Sequence, residues 1–405
     1  MGIISEYNPF HNGHLKHLNY SKEITKSDFT IAVMSGNFVQ RGDTSLVDKW
    51  TKAEMALRAG IDLVLELPTV YAISSAENFA EGAIKVLSSL GIVDFVSFGS
   101  EIGELSPLND VANVLYKEPK EFSTLINMQL RSGLSYPKAR EIALSLFFGS
   151  SKKYKDVLEN PNNILGVEYL KALKKYKSPI KPLTIKRDYS DYNSKTVKSG
   201  VASATAIRTM IQKGKNIHYV VPFESYELIE DCMQNGKIIK DLSVFEKEII
   251  YTLRKLSLQE IANMPDVSEG LENRIKSSAN NCSNLEDLIS NIKTKRYTES
   301  RIRRILLYAL LNINAKDINS SRRTIPYARV LGFNKHGRKI VSAIVSNNPK
   351  AKIVVSVKKF MESASDVPLR NMLSKDIFAT NVYTLGYKTD PVANLDYTHK
   401  IIEMD

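Results

Sequence analysis

The residues best equipped for chemistry come early in the chain. Phe10-His11-Asn12-Gly13-His14 places two imidazoles three residues apart, just after the short apolar run Gly2-Ile3-Ile4. At a helix start that spacing sets both rings on the first turn. The same turn presents unpaired backbone N–H groups and the positive end of the helix dipole, which favour an anion. Gly13 removes a side chain, so a phosphate or nucleotide ring can approach the backbone. These parts suit the phosphates of ATP. The imidazoles would stabilise charge developing on the α-phosphate and the departing pyrophosphate. The plainer reading is two polar-loop histidines that merely open a helix. A zinc reading needs further ligands, and only His17 on the same helix is near, so no metal ligand is assigned.

A second cluster is Ser203-Ala204-Thr205-Ala206-Ile207-Arg208. Two hydroxyls and a guanidinium at a helix start can hold β- and γ-phosphates. An ordinary Ser cap with a solvated Arg would look the same. Gly99 ends an apolar run and permits close approach of a nucleotide, or is a plain strand-to-loop glycine. Asn162 and Asn163 either cap a helix opening at Ile164 or read an adenine or ribose edge. Arg187 follows another apolar run and faces either phosphate or solvent.

The elements that position these residues follow from hydrophobic periodicity. Gly2–Ile4, Phe29–Met34, Ile61–Leu67 and Val93–Phe98 read as strands, separated by helical patterns at 14–20, 48–60 and 75–90. Strands alternating with helices make βαβ units and a doubly wound parallel sheet. Ligands bind such sheets beyond the carboxyl ends of the strands, so the loops after Ile4, Met34, Leu67 and Phe98 matter most. Residues 105–180 read as mostly helical, Pro182–Lys186 as a further strand, 203–214 as a helix. Residues 224–315 read as helical. Residues 321–405 are mixed, with a turn at Pro326, a helix from about 335 and a strand-like run Ile353–Val357. The expected architecture is α/β: an N-terminal doubly wound parallel sheet in 1–222, a helical basic domain in 223–320 and a mixed C-terminal region in 321–405.

Composition narrows the function. The chain has 405 residues, 43% apolar and 25% charged, which are globular values. Its two cysteines, Cys232 and Cys282, are too few for a disulfide framework or a multi-cysteine zinc site. No apolar run reaches membrane-span length, and MGIISEYNPF lacks a secretory pattern, so the expectation is a cytoplasmic protein with no membrane partner. The net charge is +12, unevenly spread. Residues 1–100 carry 8 basic and 11 acidic side chains, whereas 291–340 carry 13 and 2. The basic window contains Lys293, Lys295, Arg296, Arg301, Arg303 and Arg304 around Tyr297. It continues with Arg322, Arg323, Tyr327, Arg329, Lys335, Arg338 and Lys339, with Phe333 close by. Phosphates attract the cations, and unstacked bases lie on aromatic or guanidinium faces, so the window reads as RNA-binding. The plainer reading is a solvated helix face over the apolar stripe Ile302, Ile305, Leu306 and Leu310.

FHNGH after a first strand resembles the H-x-G-H signature of the nucleotidylyltransferase and class I synthetase superfamily, whose fold is of the HUP type. The longer string Glu6-Tyr7-Asn8-Pro9-Phe10-His11-Asn12-Gly13-His14 resembles the bacterial tRNA(Met) cytidine acetate ligases. The resemblance continues in MSGNFVQRGD (34–43), FGSE (98–101), NNILG (162–166), IKR (185–187), SATAIR (203–208), KRYTESRIRR (295–304), PYARVLGFN (326–334) and ATNVYTLGYK (379–388). It therefore spans nearly the whole chain. SATAIR is similar to the superfamily's Ser-Ser-Thr-x-x-Arg segment with one Ser replaced by Ala.

The resemblance implies an ATP-dependent ligase that activates acetate to acetyl-adenylate. It then acetylates N4 of the wobble cytidine of elongator tRNA(Met), forming N4-acetylcytidine. It carries His11, His14 and Arg208 over as catalytic. It also carries the ATP site onto Ile4, Ser5, Glu6, Tyr7, Asn8, Pro9, Phe10, Asn12, Gly13, Leu15, Lys16 and His17. Gly99, Asn162, Asn163, Arg187, Ser203 and Thr205 complete that site. Mg²⁺ is expected with the nucleotide, without a named protein ligand; no stable protein partner is expected. Ser35-Gly36-Asn37 and Gln40-Arg41-Gly42-Asp43 become candidates for the acyl-acceptor side. Arg301, Arg303 and Arg304 are expected to dock tRNA away from the adenylate chemistry, although Ile302 prevents all three from sharing one narrow face. A small-molecule nucleotidylyltransferase would share the front half but leave the basic rear unexplained. A non-catalytic RNA-binding protein is disfavoured by the intact histidine pair.

Overall fold

Short apolar runs with every residue buried are what central parallel strands require. Ile31–Ser35 and Leu63–Leu67 are two of them. The computed structural model describes residues 1–405 apart from 150, 188–199, 269, 295 and 390. Lys295 of the basic window lies outside the described residues. The strands are β1 (Gly2–Ser5), β2 (Ile31–Ser35), β3 (Phe38–Val39), β4 (Asp43–Thr44), β5 (Leu63–Leu67), β6 (Phe95–Ser100), β7 (Lys181–Lys186), β8 (Ala328–Phe333), β9 (Ile353–Val354) and β10 (Ile402–Glu403). The main sheet runs β10-β8-β5-β2-β1-β6-β7, with β9 also on β8. β3 and β4 form a separate antiparallel pair. The main sheet is parallel throughout except where β8 meets β5. The α/β architecture with a doubly wound parallel sheet is thus present. β1 steps outward through β2 to β5, then the chain crosses back to β6 and β7. The order reverses between β1 and β6, the place where such sheets bind ligands.

The C-terminal residues do more than follow this sheet, because β8, β9 and β10 extend it. Ile353–Val357 yields only the two-residue β9, and Val357 opens a helix. Ala328–Phe333 lacks a strand signature in sequence because Arg329 interrupts it. In the fold Arg329 is buried and ion-paired with Glu66 and Asp396. Lys49 completes the cluster, 3.0 Å from Glu66 Oε1 and 2.7 Å from Asp396 Oδ1. Nearby, Asp376 accepts the Thr69 amide at 2.7 Å and the Tyr327 hydroxyl. Charges buried this way are tolerable only as compensated sets. The cluster therefore fixes 327–396 against the first 70 residues. Among the described residues no helix is long and apolar enough to cross a membrane.

Candidate active site

The chain leaves β1 through a turn in which Tyr7 has φ 47° and enters the Asn12–Thr25 helix at its cap, His11. His11 Nδ1 accepts the Gly13 amide at 3.0 Å, and His14 Nδ1 accepts the His11 amide at 3.2 Å. This is a reciprocal capping box built from two imidazoles instead of the usual hydroxyl and carboxylate. The rings stack with centroids 3.7 Å apart. Because each Nδ1 is an acceptor, each neutral ring carries its proton on Nε2. Burial, reinforced by the Arg187 charge, pushes His11 down to about 3. Burial and the same charge push His17 down to about 4. His14 also falls well below the usual imidazole range, through burial and then His11, Arg187 and His17. The site therefore offers neutral N–H donors before an anion arrives. His17 Nε2 is 3.0 Å from the Ser97 hydroxyl of β6.

These residues open onto a cavity of about 680 Å³ at the switch point. From the β1 segment it is lined by Ile4, Ser5, Glu6, Tyr7, Asn8, His11, Gly13, His14 and His17. Gly99, Asn162, Arg187, Ser203, Thr205 and Arg208 reach it from four other places in the chain. Pro9, Phe10, Asn12, Leu15, Lys16 and Asn163 do not line it. Phe10 is buried behind the histidines, its ring centroid 5.5 Å from that of His14. Asn12 Nδ2 donates to the carbonyls of Gly200 and Tyr219, tying the His11–His14 turn to the chain on either side of the Ala204–Gln212 helix.

The glycines also make room for neighbouring side chains. A Cβ on Gly13 would meet the His11 ring at 2.9 Å, and one on Gly99 would meet Arg187 Cγ at 3.0 Å. Both glycines line the cavity as well. The asparagines are not caps. The helix opens at Pro161, and Glu101 accepts the amides of Asn162 and Asn163 at 3.3 and 2.8 Å. Asn163 Oδ1 returns two bonds, from the amides of Glu101 and Ile102. Asn162 Nδ2 also donates to Glu101 at 2.7 Å. FGSE and NNILG are therefore two halves of one interlock.

Ser203 caps the Ala204–Gln212 helix through the Ala206 amide, so its oxygen is already an acceptor. Arg208 donates to the Asn8 carbonyl at 2.9 Å, fastening this helix to the β1 loop. Phe79, Phe98, Leu165 and Tyr169 form an apolar wall. Their packing depends on Gly166, where a Cβ would lie 2.7 Å from the Phe98 ring.

The basic window behaves unlike its reading in sequence. Glu299, Ser300 and Arg303, at the start of the Glu299–Leu310 helix, line the cavity itself. Arg304 is buried and held by Asp266 at 2.9 Å. Arg301 donates to the Asp266 carbonyl and Ser268 hydroxyl and lies 5.1 Å from the Tyr297 ring centroid. Two of the three arginines thus build the fold and the third enters the pocket. Arg329 and Tyr327 are buried as well. Arg322, Arg323, Lys335, Arg338 and Lys339 remain exposed. Spacing within the window carried no sign of these distant partners. Gln40, Arg41 and Asp43 reach the cavity, whereas Ser35, Gly36 and Asn37 do not.

Comparison with known proteins agrees with this geometry. The HIGH Nucleotidyl Transferase family model matches residues 1–396. A tRNA(Met) cytidine acetate ligase of Thermoanaerobacter sp. (strain X514) is 47% identical over 100% of this chain and 99% of its own. That of Acetivibrio thermocellus is 41% identical with the same coverage of both. The apo crystal structure of Thermotoga maritima TmcAL superposes with a TM-score of 0.95 at 35% identity, covering 100% of this chain and 99% of that one. The same protein bound with alpha-thio ATP gives a TM-score of 0.92, at the same identity and coverage. With the stacked histidine pair at the switch point and full-length similarity on both sides, the chain belongs to the tRNA(Met) cytidine acetate ligases of the HIGH nucleotidyl transferase family.

Proposed function

We propose that this chain joins acetate to ATP as acetyl-adenylate and transfers the acetyl group to N4 of the wobble cytidine of elongator tRNA(Met). The observation that carries the first half is the pair of neutral Nε2–H donors on His11 and His14, near the Arg187 charge and on the same cavity as Arg208. In adenylation the carboxylate attacks the α-phosphate and pyrophosphate leaves. Pre-oriented donors lower that barrier because they need no reorganisation as charge develops. Arg208 and the start of its helix suit the β- and γ-phosphates. The apolar wall of Phe79, Phe98, Leu165 and Tyr169 suits an adenine face or the acetate methyl.

The transfer half answers a chemical need. The exocyclic amine of cytosine is a poor nucleophile, since its lone pair is delocalised into the ring. A mixed anhydride supplies the missing electrophilicity. Arg303 in the cavity and the exposed cations from Arg322 to Lys339 suit an RNA substrate. This basic side also disfavours a small-molecule nucleotidylyltransferase. Among the described residues no group of three or more His, Cys, Asp or Glu could hold a metal ion. No protein ligand for Mg²⁺ is named; Mg²⁺ bound with the nucleotide would neutralise phosphate charge. A tRNA substrate implies a cytoplasmic enzyme.

The test is incubation with ATP, labelled acetate and total tRNA. Label should enter elongator tRNA(Met) as N4-acetylcytidine only when all three are present. Adenylated small molecule without labelled tRNA would support the nucleotidylyltransferase reading instead.

A further inference from the structure

Asp43 is a carboxylate on the cavity that adenylation leaves unused. It opens β4, opposite Val39 in the β3–β4 pair. Gly42, with φ +78°, turns the hairpin, and a Cβ there would come within 2.6 Å of the backbone of Arg303 and Arg304. The turn is therefore seated on the Glu299–Leu310 helix. On its other flank the Gln40 amide donates to Glu6 Oε1 at 2.8 Å. Asp43 Oδ1 accepts the amides of Leu242 and Thr44 at 2.8 and 2.9 Å. Among the described residues Oδ2 has no hydrogen-bond partner. One oxygen is thus pinned to backbone, and the other belongs to a side chain that lines the cavity.

Other carboxylates there are differently placed. Glu299 uses both oxygens, on Arg303 Nε at 3.1 Å and Lys293 Nζ at 3.0 Å. Glu6 belongs to the β1 loop beside the histidines. A carboxylate directed at phosphates would repel them, so the wall formed by Asp43 suits a neutral group that gives up a proton.

Taking the ligase function as its basis, we infer that Asp43 Oδ2 is the general base of the transfer step. The N4 lone pair attacks the acetyl carbon and the N4–C bond forms. The bond from that carbon to the phosphate oxygen breaks, its electron pair leaving on AMP. One N4 proton passes to Asp43. Burial raises the Asp43 carboxyl above its ordinary value, while Arg208 and Arg303 oppose that rise.

Asp43→Asn tests the assignment, since Asn keeps the Oδ1 acceptor. Acetate-dependent exchange of pyrophosphate into ATP, which needs no tRNA, should stay within a few-fold of wild type. Single-turnover transfer from bound acetyl-adenylate to a tRNA transcript should fall by roughly 10²–10⁴-fold. Wild-type transfer should rise with pH along a limb above the ordinary Asp range, and the variant should lose that limb. The charged groups around Asp43 are the Arg208 and Arg303 guanidiniums, and Glu299 is held low by hydrogen bonds from Lys293 and Arg303. Equal losses in both assays from a folded variant, or unimpaired transfer, overturn the inference. Selective loss of transfer in Glu6→Gln but not in Asp43→Asn overturns it too. If a circular-dichroism melt shows Asp43→Asn unfolded, Asp43→Ser decides by the same two assays. A wild-type enzyme that makes no acetyl-adenylate would defeat the ligase reading itself.

Discussion

On the proposed function His11 has two jobs for its two ring nitrogens, and substitution can separate them. Nδ1 caps the Asn12–Thr25 helix by accepting the Gly13 amide at 3.0 Å, while the Nε2 proton, which takes no part in the cap, would be the donor to substrate. His11→Ala removes both. Loss of the cap costs about 0.5–2 kcal/mol of stability. Loss of a donor to developing phosphate charge costs about 2.7–4 kcal/mol, or roughly 10²–10³ in rate. His11→Asn restores a cap acceptor but has no donor at the Nε2 position. The two variants should therefore lose similar rates in pyrophosphate exchange, while only His11→Ala loses stability in a urea melt. The double variant with His14→Ala should be less than additive, because each ring orients the other; a coupling of about 0.5–3 kcal/mol is the expected range. The protonation state gives an independent check. With His11 pushed down to about 3 in the free enzyme, the neutral ring is already the whole population from pH 7 to 9. The kcat/KM for ATP, which reports the free enzyme, should show no histidine limb there. If imidazolium were the acting form, it would fall tenfold per unit as the pH rises. Such a fall, absent in His11→Asn, or near-wild-type exchange in both variants, would refute the reasoning.

Other consequences follow from the same geometry. Arg304→Met strands Asp266 and should destabilise the fold by about 1.5–3 kcal/mol in a urea melt, with exchange per folded molecule unchanged. Lys49→Met leaves Glu66 and Asp396 with Arg329 alone; a loss of about 3–5 kcal/mol is expected, read from the same melt. Joint charge reversal of exposed Lys335, Arg338 and Lys339 to Glu should weaken tRNA binding and spare exchange. The slope of log affinity against log salt should shrink by about 0.7–0.9 for each phosphate no longer neutralised, and an unchanged slope would place the RNA elsewhere.

The sequence alone determined the features that depend on neighbours a few residues away. The buried parallel strands and the His11/His14 pair are settled by spacing, because their hydrogen bonds close within one turn or one βαβ unit, whereas the helix read as opening at Ile164 opens at Pro161. The resemblance in FHNGH and SATAIR pointed to the same loop ends for the same reason. Only the tertiary structure decided what crosses long stretches of chain. It put Arg303 in the cavity and turned Arg301 and Arg304 inward onto residues 266 and 268. It interlocked Glu101 with Asn163, 62 positions apart. It made a strand of 328–333 by giving Arg329 two buried carboxylates, from Glu66 and Asp396. A basic residue reads alike whether it meets solvent, phosphate or a buried acid. What distinguishes these fates is desolvation and the partner that offsets it, and both exist only once distant segments have packed.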